Sequence, residues 1–196
     1  MAGVDEAGRG CLFGPVCAAA VILDPERPIR GLNDSKQLEP ERRSILAERI
    51  RERALAWAVE FVDSATIDRI NILQASRLAM KLALERLAPQ PDYLLIDYVR
   101  VESVIEQLPL VHGDARSFSI AAASILAKVS RDQAIAALDR EYPGYGLANN
   151  KGYGTPDHLS ALTQRGPTPL HRHTFAPVRA AAGLDPEQLA LFGAVE

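Results

Sequence analysis

Two adjacent carboxylates, Asp5 and Glu6, are followed at once by the turn-forming sequence Gly8-Arg9-Gly10. The apolar residues before them predict a strand, and successive residues of a strand point to opposite faces. The two acids can therefore serve one site only if the strand ends there and the turn redirects Glu6. The glycines permit such a turn, and the arginine can contact a phosphate through its guanidinium or its exposed backbone. The pattern indicates either metal-assisted chemistry on a phosphodiester or an ordinary polar turn.

Two further acids, Asp97 and Asp114, follow short apolar runs at residues 93–96 and 108–111. Ligands of open α/β sheets bind beyond the carboxyl ends of the strands. Four converging acids would repel one another unless cations held them, and oxygen ligands suit Mg²⁺ or Mn²⁺ rather than zinc. Two such ions can clamp the attacking and leaving oxygens of a phosphoryl displacement. The alternative for Asp97 and Asp114 is that they are helix caps or turn residues.

The elements that must position these acids alternate along the chain. Hydrophobic periodicity, Pro at first helical turns and Asn71 as a helix cap define them. The predicted strands are residues 1–4, 15–23, 57–62, 93–96 and 108–111, and the predicted helices are residues 40–54, 71–87, 117–139, 156–164 and 186–192. The first two strands are expected to form a hairpin, and the small residues at 121–123 suit close packing of a helix on a sheet. The pattern predicts an α/β fold with a mixed sheet.

Composition narrows the function classes. The chain has 196 residues, of which 47% are hydrophobic and 24% charged, so one domain with a small appendage is expected. The net charge of −3 argues mildly against a nucleic-acid protein that relies on bulk charge, although metal-binding acids would hide a basic groove from that count. There is no run of about 18 apolar residues, so no membrane span is expected. Cys11 and Cys17 form no CxxC pair, which favours a reduced, cytoplasmic protein.

Several segments in order along the chain resemble ribonuclease HII, the type 2 ribonuclease H. The matching segments are residues 3–10 (GVDEAGRG), 14–16 (GPV), 32–36 (LNDSK), 95–97 (LID), 113–115 (GDA), 119–128 (SIAAASILAK), 131–132 (RD), 151–155 (KGYGT) and 173–178 (HTFAPV). The resemblance implies a ribonuclease H-like mixed sheet flanked by helices, with a small C-terminal helical extension. It implies an endonuclease that cleaves the RNA strand of RNA–DNA hybrids and incises 5′ to single ribonucleotides in duplex DNA, with two Mg²⁺ or Mn²⁺ ions, leaving 3′-hydroxyl and 5′-phosphate ends.

The resemblance also implies roles for individual residues. The metal-binding catalytic acids would be Asp5, Glu6, Asp97 and Asp114. The turn Gly8, Arg9 and Gly10 would contact the ribose 2′-hydroxyl and the flanking phosphate, and Tyr153 would stack on the sugar beyond the ribonucleotide. A 2′-hydroxyl is what distinguishes RNA from DNA at one position. Asn33, Ser35 and Lys36 either hold substrate phosphates or form a solvated loop, and Arg116, where lysine is common in the family, suits a phosphate.

A few positions leave alternatives open. Tyr98 follows Asp97 where the family more usually has glycine, and it either crowds or lines the metal site. Lys128 and Arg131 face either the substrate groove or solvent from the Ala-rich helix. His171 and His173 would share a face on a strand, but no Cys or acid lies beside them in the sequence, so nucleic-acid contact or plain surface is favoured over a zinc site.

We expect a catalytic domain at residues 1–178 and a tail at residues 179–196. Within the tail, Gln188, Leu189, Leu191 and Phe192 resemble the pentapeptide by which bacterial proteins bind the sliding clamp, and the alternative is a final amphipathic turn packed on the body. The expected protein is a monomer with RNA–DNA hybrid and ribonucleotide-containing DNA as partners. Two rival interpretations are a nuclease of the same fold that acts on structured DNA, and a clamp-docked binding protein without hydrolysis.

Overall fold

The computed structural model describes residues 1–183, and the chain divides into two compact units. The first unit comprises Met1–Ala7, Cys17–Phe61 and Ser76–Ser130. The second unit comprises Gly8–Val16, Val62–Ala75 and the described residues from Arg131 onward. The predicted helix at residues 186–192 and the predicted clamp-binding residues lie outside the described residues.

A mixed sheet organises the first unit. Its strands within residues 1–183 are β1 (Ala2–Ala7), β2 (Val16–Ile22), β3 (Ala56–Val62), β4 (Tyr93–Asp97) and β5 (Glu106–Leu110), in the spatial order β3-β2-β1-β4-β5. The central strand β1 is antiparallel to β2, as the predicted hairpin requires, and parallel to β4, which is parallel to β5. The predicted α/β class with a mixed sheet is confirmed.

Helices connect and cover the strands. They are α1 (Pro40–Arg53), α2 (Ser64–Glu85), α3 (Gly113–Arg116), α4 (Phe118–Leu138), α5 (Leu147–Asn150), α6 (Pro156–Arg165) and α7 (Ala176–Ala182). The predictions for α1, α4 and α6 agree to within two residues. Within residues 1–183, every helix is too short or too polar to cross a bilayer.

The long helix α2 differs from its prediction. Asn71 has a φ of 66°, which interrupts the helix, and its Oδ1 accepts hydrogen bonds from the N–H groups of Leu73 and Gln74. It therefore caps the segment that follows it, as expected, because a side-chain oxygen satisfies donors at a helix start. The residues from Ser64 to this cap are helical too, so α2 begins seven residues before its predicted start.

The core of the first unit is built from small side chains. Ala121, Ala122 and Ala123 of α4 pack with small residues of the sheet such as Cys17 and Ala19. A Cβ atom on Gly3 would lie 2.1 Å from the carbonyl carbon of Ser119, so the central strand and α4 are in near-contact. The close helix-on-sheet packing predicted from the alanines is therefore present.

Candidate active site

Two of the predicted acids occupy equivalent positions on neighbouring strands. Val4 on β1 is paired with Ile96 on β4, and Asp5 and Asp97 are the next residues along these parallel strands. Parallel pairing therefore places the two acids side by side at the edge of the sheet where β4 ends. Asp5 is only 5% exposed, so its carboxylate is held inside the first unit.

The expectation for Glu6 is corrected in part. The strand does not end at the acid pair, because β1 continues to Ala7 with Glu6 paired to Ala18 of β2. The prediction that the end of β1 redirects the Glu6 side chain is therefore wrong, and the two acids interact for another reason. The Glu6 N–H donates to Asp5 Oδ1 at 2.7 Å, and the Glu6 carboxylate is close enough to act on Asp5 electrostatically.

Asp114 is placed by a short helix rather than by a strand. The strand before it, β5, ends at Leu110, and α3 begins at Gly113. The Gly113 N–H donates to Asp97 Oδ1 at 2.7 Å, and a Cβ on Gly113 would lie 2.6 Å from Ile120 Cδ1. Glycine at this position thus lets α3 begin against the Asp97 carboxylate. Asp114, the second residue of α3, is 8% exposed and is delivered to the same edge of the sheet.

The carboxylates repel one another. The pKa of Asp5 is raised well above its ordinary value, first by burial and then by the negative charges of Glu6 and Asp97. The pKa of Asp114 is raised by burial, by Asp34 and by Asp97. Both shifts show that ionising these acids together is unfavourable in the protein alone. A bound cation would reverse this, because a divalent ion is the largest local charge in such a site.

The donor set fits a hard divalent cation, because all four side chains offer carboxylate oxygens. Across residues 1–183 no group of three or more His, Cys, Asp or Glu side chains is arranged to hold an ion by itself. Mg²⁺ in such sites is held by one or two carboxylates, and water and substrate phosphates complete its coordination. The pairs Asp5–Asp97 and Asp97–Asp114 meet that requirement.

Sequence reasoning missed two polar side chains of this site, Asp34 and Ser124. Asp34 interacts with Asp114 both through a side-chain hydrogen bond and through its charge. Ser124, on α4, bonds to the Asp5 carboxylate, and its Oγ lies 2.9 Å from Ser35 Oγ. Since the Ser124 hydroxyl donates to Asp5, the Ser35 hydroxyl donates to Ser124. Both residues belong to segments that the resemblance singled out, but only the tertiary structure shows their partners.

The loop predicted to bind substrate is anchored at one end and exposed at the other. Ser35 is buried against Ser124, and Arg43 donates to the Ser35 carbonyl at 2.9 Å. Asn33 and Lys36 are exposed, and their backbone is shaped by Asp34, whose Oδ1 accepts the Lys36 N–H at 2.9 Å. The loop is therefore ordered by side-chain hydrogen bonds.

A cleft of about 170 Å³ joins this loop to the acid site. Asn33, Asp114 and Arg116 line it together with the aromatic ring of Phe118, which is 72% exposed. Two predicted phosphate contacts and one predicted catalytic acid thus share one cleft. Tyr98, in contrast, has a φ of 61° and is 63% exposed, so its ring points largely to solvent.

The second unit holds the glycine turn and Tyr153. Gly8 has a φ of +95°, which glycine adopts readily, so the predicted turn is present. Cys11, just after the turn, forms an antiparallel bridge with Tyr153, and the Leu12 N–H donates to the Gly152 carbonyl at 2.8 Å. The turn and Tyr153 are therefore brought together, with Tyr153 38% exposed and Arg9 half-buried.

Interpretations of two basic residues are corrected. Arg131 is fully buried in the second unit, so it faces neither solvent nor a groove. His171 is also fully buried and is not on a strand; its Nε2 lies 3.2 Å from Nε2 of His158. The pKa of His171 is lowered to about 3, first by burial and then by His158 and His173. Neither nucleic-acid contact nor plain surface describes His171.

Comparisons with known proteins agree with the residue pattern. A sequence profile of the family described as Ribonuclease HII matches residues 2–178. The ribonuclease HII of Solibacter usitatus (strain Ellin6076) is 62% identical over 180 residues, which are 92% of this chain and 79% of the relative. That of Koribacter versatilis (strain Ellin345) is 56% identical over 182 residues, or 93% of this chain and 72% of the relative.

Solved structures share the architecture. The ribonuclease H2 from Pyrococcus horikoshii OT3 superposes with a TM-score of 0.77 at 28% identity, over 93% of this chain and 96% of that one. A chain of the PCNA:RNase HII complex from Archaeoglobus fulgidus gives a TM-score of 0.74 at 26% identity, over 91% and 96% of the two chains. Bst-RNase HIII in complex with Mn²⁺ gives 0.70 at 23% identity, over 93% of this chain and 68% of that one, which shows a shared fold.

Proposed function

Because the chain belongs to the ribonuclease HII family and is a nuclease of the ribonuclease H type, we propose that it incises duplex DNA 5′ to single ribonucleotides, besides cleaving the RNA strand of RNA–DNA hybrids. The observation that carries the proposal is the pair Asp5 and Asp97, side by side on the parallel strands β1 and β4. The ribose-reading turn begins at Gly8, three residues after Asp5 in the chain.

The acids provide the metal-binding part of the mechanism. We assign Asp5, Glu6, Asp97 and Asp114 to hold two Mg²⁺ or Mn²⁺ ions between them. When bound, such ions neutralise the charge that develops on the attacking and leaving oxygens of an in-line displacement. The Gly113 N–H fixes the Asp97 carboxylate, and Ser124 fixes that of Asp5, so neither side chain has to find its orientation when substrate arrives.

The reaction is a hydrolysis at the phosphate on the 5′ side of the ribonucleotide. Water forms a new bond to phosphorus, and the bond from phosphorus to the 3′ oxygen of the preceding nucleotide breaks. The preceding nucleotide keeps a 3′-hydroxyl, and the ribonucleotide keeps a 5′-phosphate. Gly8, Arg9 and Gly10 contact the 2′-hydroxyl and the flanking phosphate, and Tyr153 stacks on the next sugar. Asn33, Ser35, Lys36 and Arg116 hold the substrate strand by its phosphates.

A defined set of duplexes tests the proposal. The protein, with Mg²⁺ or Mn²⁺, is given DNA with one ribonucleotide, the same sequence as all-DNA, and the RNA–DNA hybrid, and the product ends are mapped. Incision 5′ to the ribonucleotide with a 3′-hydroxyl product supports the proposal, and the Asp97→Asn variant is the control for contaminating nuclease. Equal cutting of the all-DNA duplex, or no cutting at the ribonucleotide, would refute it.

We also propose that the tail residues Gln188, Leu189, Leu191 and Phe192 dock this enzyme on a sliding clamp. Two apolar anchors on a short peptide suit a hydrophobic pocket. The Archaeoglobus fulgidus relative, solved in complex with PCNA, supports an association of this kind.

A further inference from the structure

Arg131 is an interior guanidinium whose nitrogens all donate to main-chain carbonyls. Its Nε donates to Pro15 at 3.0 Å, one terminal nitrogen to Lys151 at 2.9 Å and the other to Phe13 at 3.1 Å. The side chain is 0% exposed. Burying a charge is unfavourable unless it is fully hydrogen-bonded, so this arrangement has to be maintained by all three acceptors. Those acceptors come from two segments far apart in sequence, residues 13–15 and residue 151.

The same side chain lies against both substrate-recognition elements of the second unit. A Cβ atom on Gly8 would lie 1.9 Å from Arg131 Nε, so the turn rests directly on the guanidinium. The Arg131 Cζ atom lies 6.0 Å from the centroid of the Tyr153 ring, within the range of a cation–π contact. Gly8 must therefore be glycine for a reason besides its φ, because any side chain there would displace Arg131.

Arg172 offers a matched comparison. It is also 0% exposed, and it donates to the carbonyls of Gly14 at 3.0 Å, Arg9 at 2.8 Å and Pro15 at 3.1 Å. Its aromatic neighbour is Phe175, at 5.2 Å, rather than Tyr153. The two arginines thus carry the same charge, and each donates three hydrogen bonds to main-chain carbonyls. All three bonds of Arg172 go to residues 9–15, whereas one of those of Arg131 goes to Lys151. Arg131 lies over the Tyr153 ring, whereas Arg172 lies over Phe175 and interacts with Tyr153 electrostatically.

We propose that Arg131 is a positioning residue that couples the Gly8–Gly10 turn to Tyr153, so that the two elements bind one ribonucleotide as a unit. Its planar fork fixes residues 13–15 relative to the segment at residue 151, Gly8 packs directly against its Nε atom, and its charge lies against the tyrosine ring. A lysine keeps the charge but cannot present the same fork to three fixed carbonyls. This inference rests on the proposed function, since the coupling is expressed through ribonucleotide binding.

A double-mutant cycle tests the coupling. We would measure kcat and KM on DNA with a single ribonucleotide. The single variants are Arg131→Lys, Arg172→Lys and Tyr153→Ala, and each arginine variant is also combined with Tyr153→Ala. We expect Arg131→Lys and Tyr153→Ala each to lower kcat/KM by about tenfold, equivalent to about 1.4 kcal/mol, chiefly through KM. The combination should stay within about twofold of Tyr153→Ala alone, because residues in contact are not additive. The losses from Arg172→Lys and Tyr153→Ala should multiply.

A purely structural Arg131 would lower the melting temperature without coupling to Tyr153, so multiplied losses in both cycles would overturn the inference. If Arg131→Lys does not fold, Gly8→Ala replaces it, since the added Cβ presses on the guanidinium from the turn side. The loss of kcat/KM caused by Gly8→Ala should likewise be less than multiplicative with the loss caused by Tyr153→Ala. A wild-type protein that does not incise at the ribonucleotide refutes the proposed function, and the inference with it. Multiplied losses in an active wild-type background overturn the inference alone.

Discussion

The main-chain N–H of Gly113 donates a 2.7 Å hydrogen bond to Asp97 Oδ1, so the acid at the end of β4 also anchors the helix that carries Asp114. Two predicted metal ligands 17 positions apart in sequence are therefore fixed by one contact. A change at Asp97 should affect metal binding directly and the placement of Asp114 indirectly.

Replacing Asp97 or Asp5 by Asn should abolish cleavage while substrate binding is retained. The acids hold ions rather than the duplex, and metal-assisted charge stabilisation contributes several kcal/mol, so a loss of several decades in the single-turnover rate is expected. Binding is measured by fluorescence anisotropy in Ca²⁺. Glu102→Gln, which removes an exposed ion pair with Lys81, is the control. A variant of either acid with more than about a tenth of the wild-type rate at saturating Mg²⁺ would show that the assignment is wrong.

Divalent ions should stabilise the wild-type protein through the same acids. A ligand that binds only the folded state adds about 2.7 kcal/mol at 100 times its Kd. The melting temperature of the wild type is expected to be higher in Mn²⁺ than in chelator. The same increase should be much smaller for Asp97→Asn. In chelator, Asp5→Asn should melt at the wild-type temperature or above it, because a buried repelling charge is removed. Equal Mn²⁺ shifts in wild type and Asp97→Asn would place the ions elsewhere.

Tyr153→Ala should slow incision at a lone ribonucleotide by the equivalent of about 1–3 kcal/mol of lost stacking. The effect on an all-RNA hybrid should be no larger. Tyr153→Phe keeps the ring and should stay close to wild type. If neither substrate is affected by Tyr153→Ala, the side chain packs against the protein and does not contact the sugar.

Acid should destabilise the protein through His171. Its pKa falls from an ordinary 6.5 to about 3 in the folded state because the ring is buried. Between about pH 6.5 and pH 3, His171 is therefore protonated in the unfolded chain but not in the folded protein. The free energy of unfolding declines as the pH falls from about 6.5 towards 3. One such group contributes at most about 1.4 kcal/mol per pH unit.

Urea unfolding of wild type and His171→Gln across this pH range measures the contribution. The variant should show a shallower decline, and His158→Gln, which removes the neighbouring ring whose pKa is also lowered by burial, should act in the same direction. Identical slopes for wild type and His171→Gln would mean that the ring is accessible to protons in the folded protein.

Deleting residues 187–196 should leave cleavage of short oligonucleotides intact and remove binding to a bacterial sliding clamp. A single short peptide binds weakly, so a Kd in the micromolar range is expected by calorimetry. Leu191→Ala with Phe192→Ala, in the full-length chain, should reproduce the loss of binding. The tail would instead be a structural cap if two results were found together. The intact protein would give no heat of binding with the clamp, and the deletion would lower the melting temperature by several degrees.

The two acids Asp5 and Asp97 were predictable because local sequence signals mark them. Asp5 and Asp97 each end an apolar run, and a parallel pair of strands necessarily brings such ends together. The capping role of Asn71 followed from its side-chain chemistry in the same way. The glycine turn at Gly8 was equally local, since a positive φ favours glycine.

Contacts between distant segments were not predictable from those signals. Asp34 meets Asp114, and Ser35 meets Ser124, only through the tertiary fold. Arg131 occurs in a helix that also carries charged residues, and nothing in its spacing distinguishes a buried guanidinium from a solvated one. The short helix α7 lacked a periodic apolar pattern long enough to recognise. The grouping of Asp5, Asp97 and Asp114 was thus predictable from the sequence, whereas the groups that orient these side chains were not.

The central place of β1 in the sheet determines how the site responds to local unfolding. Edge strands such as β3 and β5 fray with a small free energy of opening. The free energy needed to open a central strand approaches that of global unfolding. Asp5 is thus attached to backbone whose amides should be among the slowest to exchange with deuterium. The proposed metal ligand Asp5 should therefore keep its place in the sheet even while the edge strands of the first unit open and close.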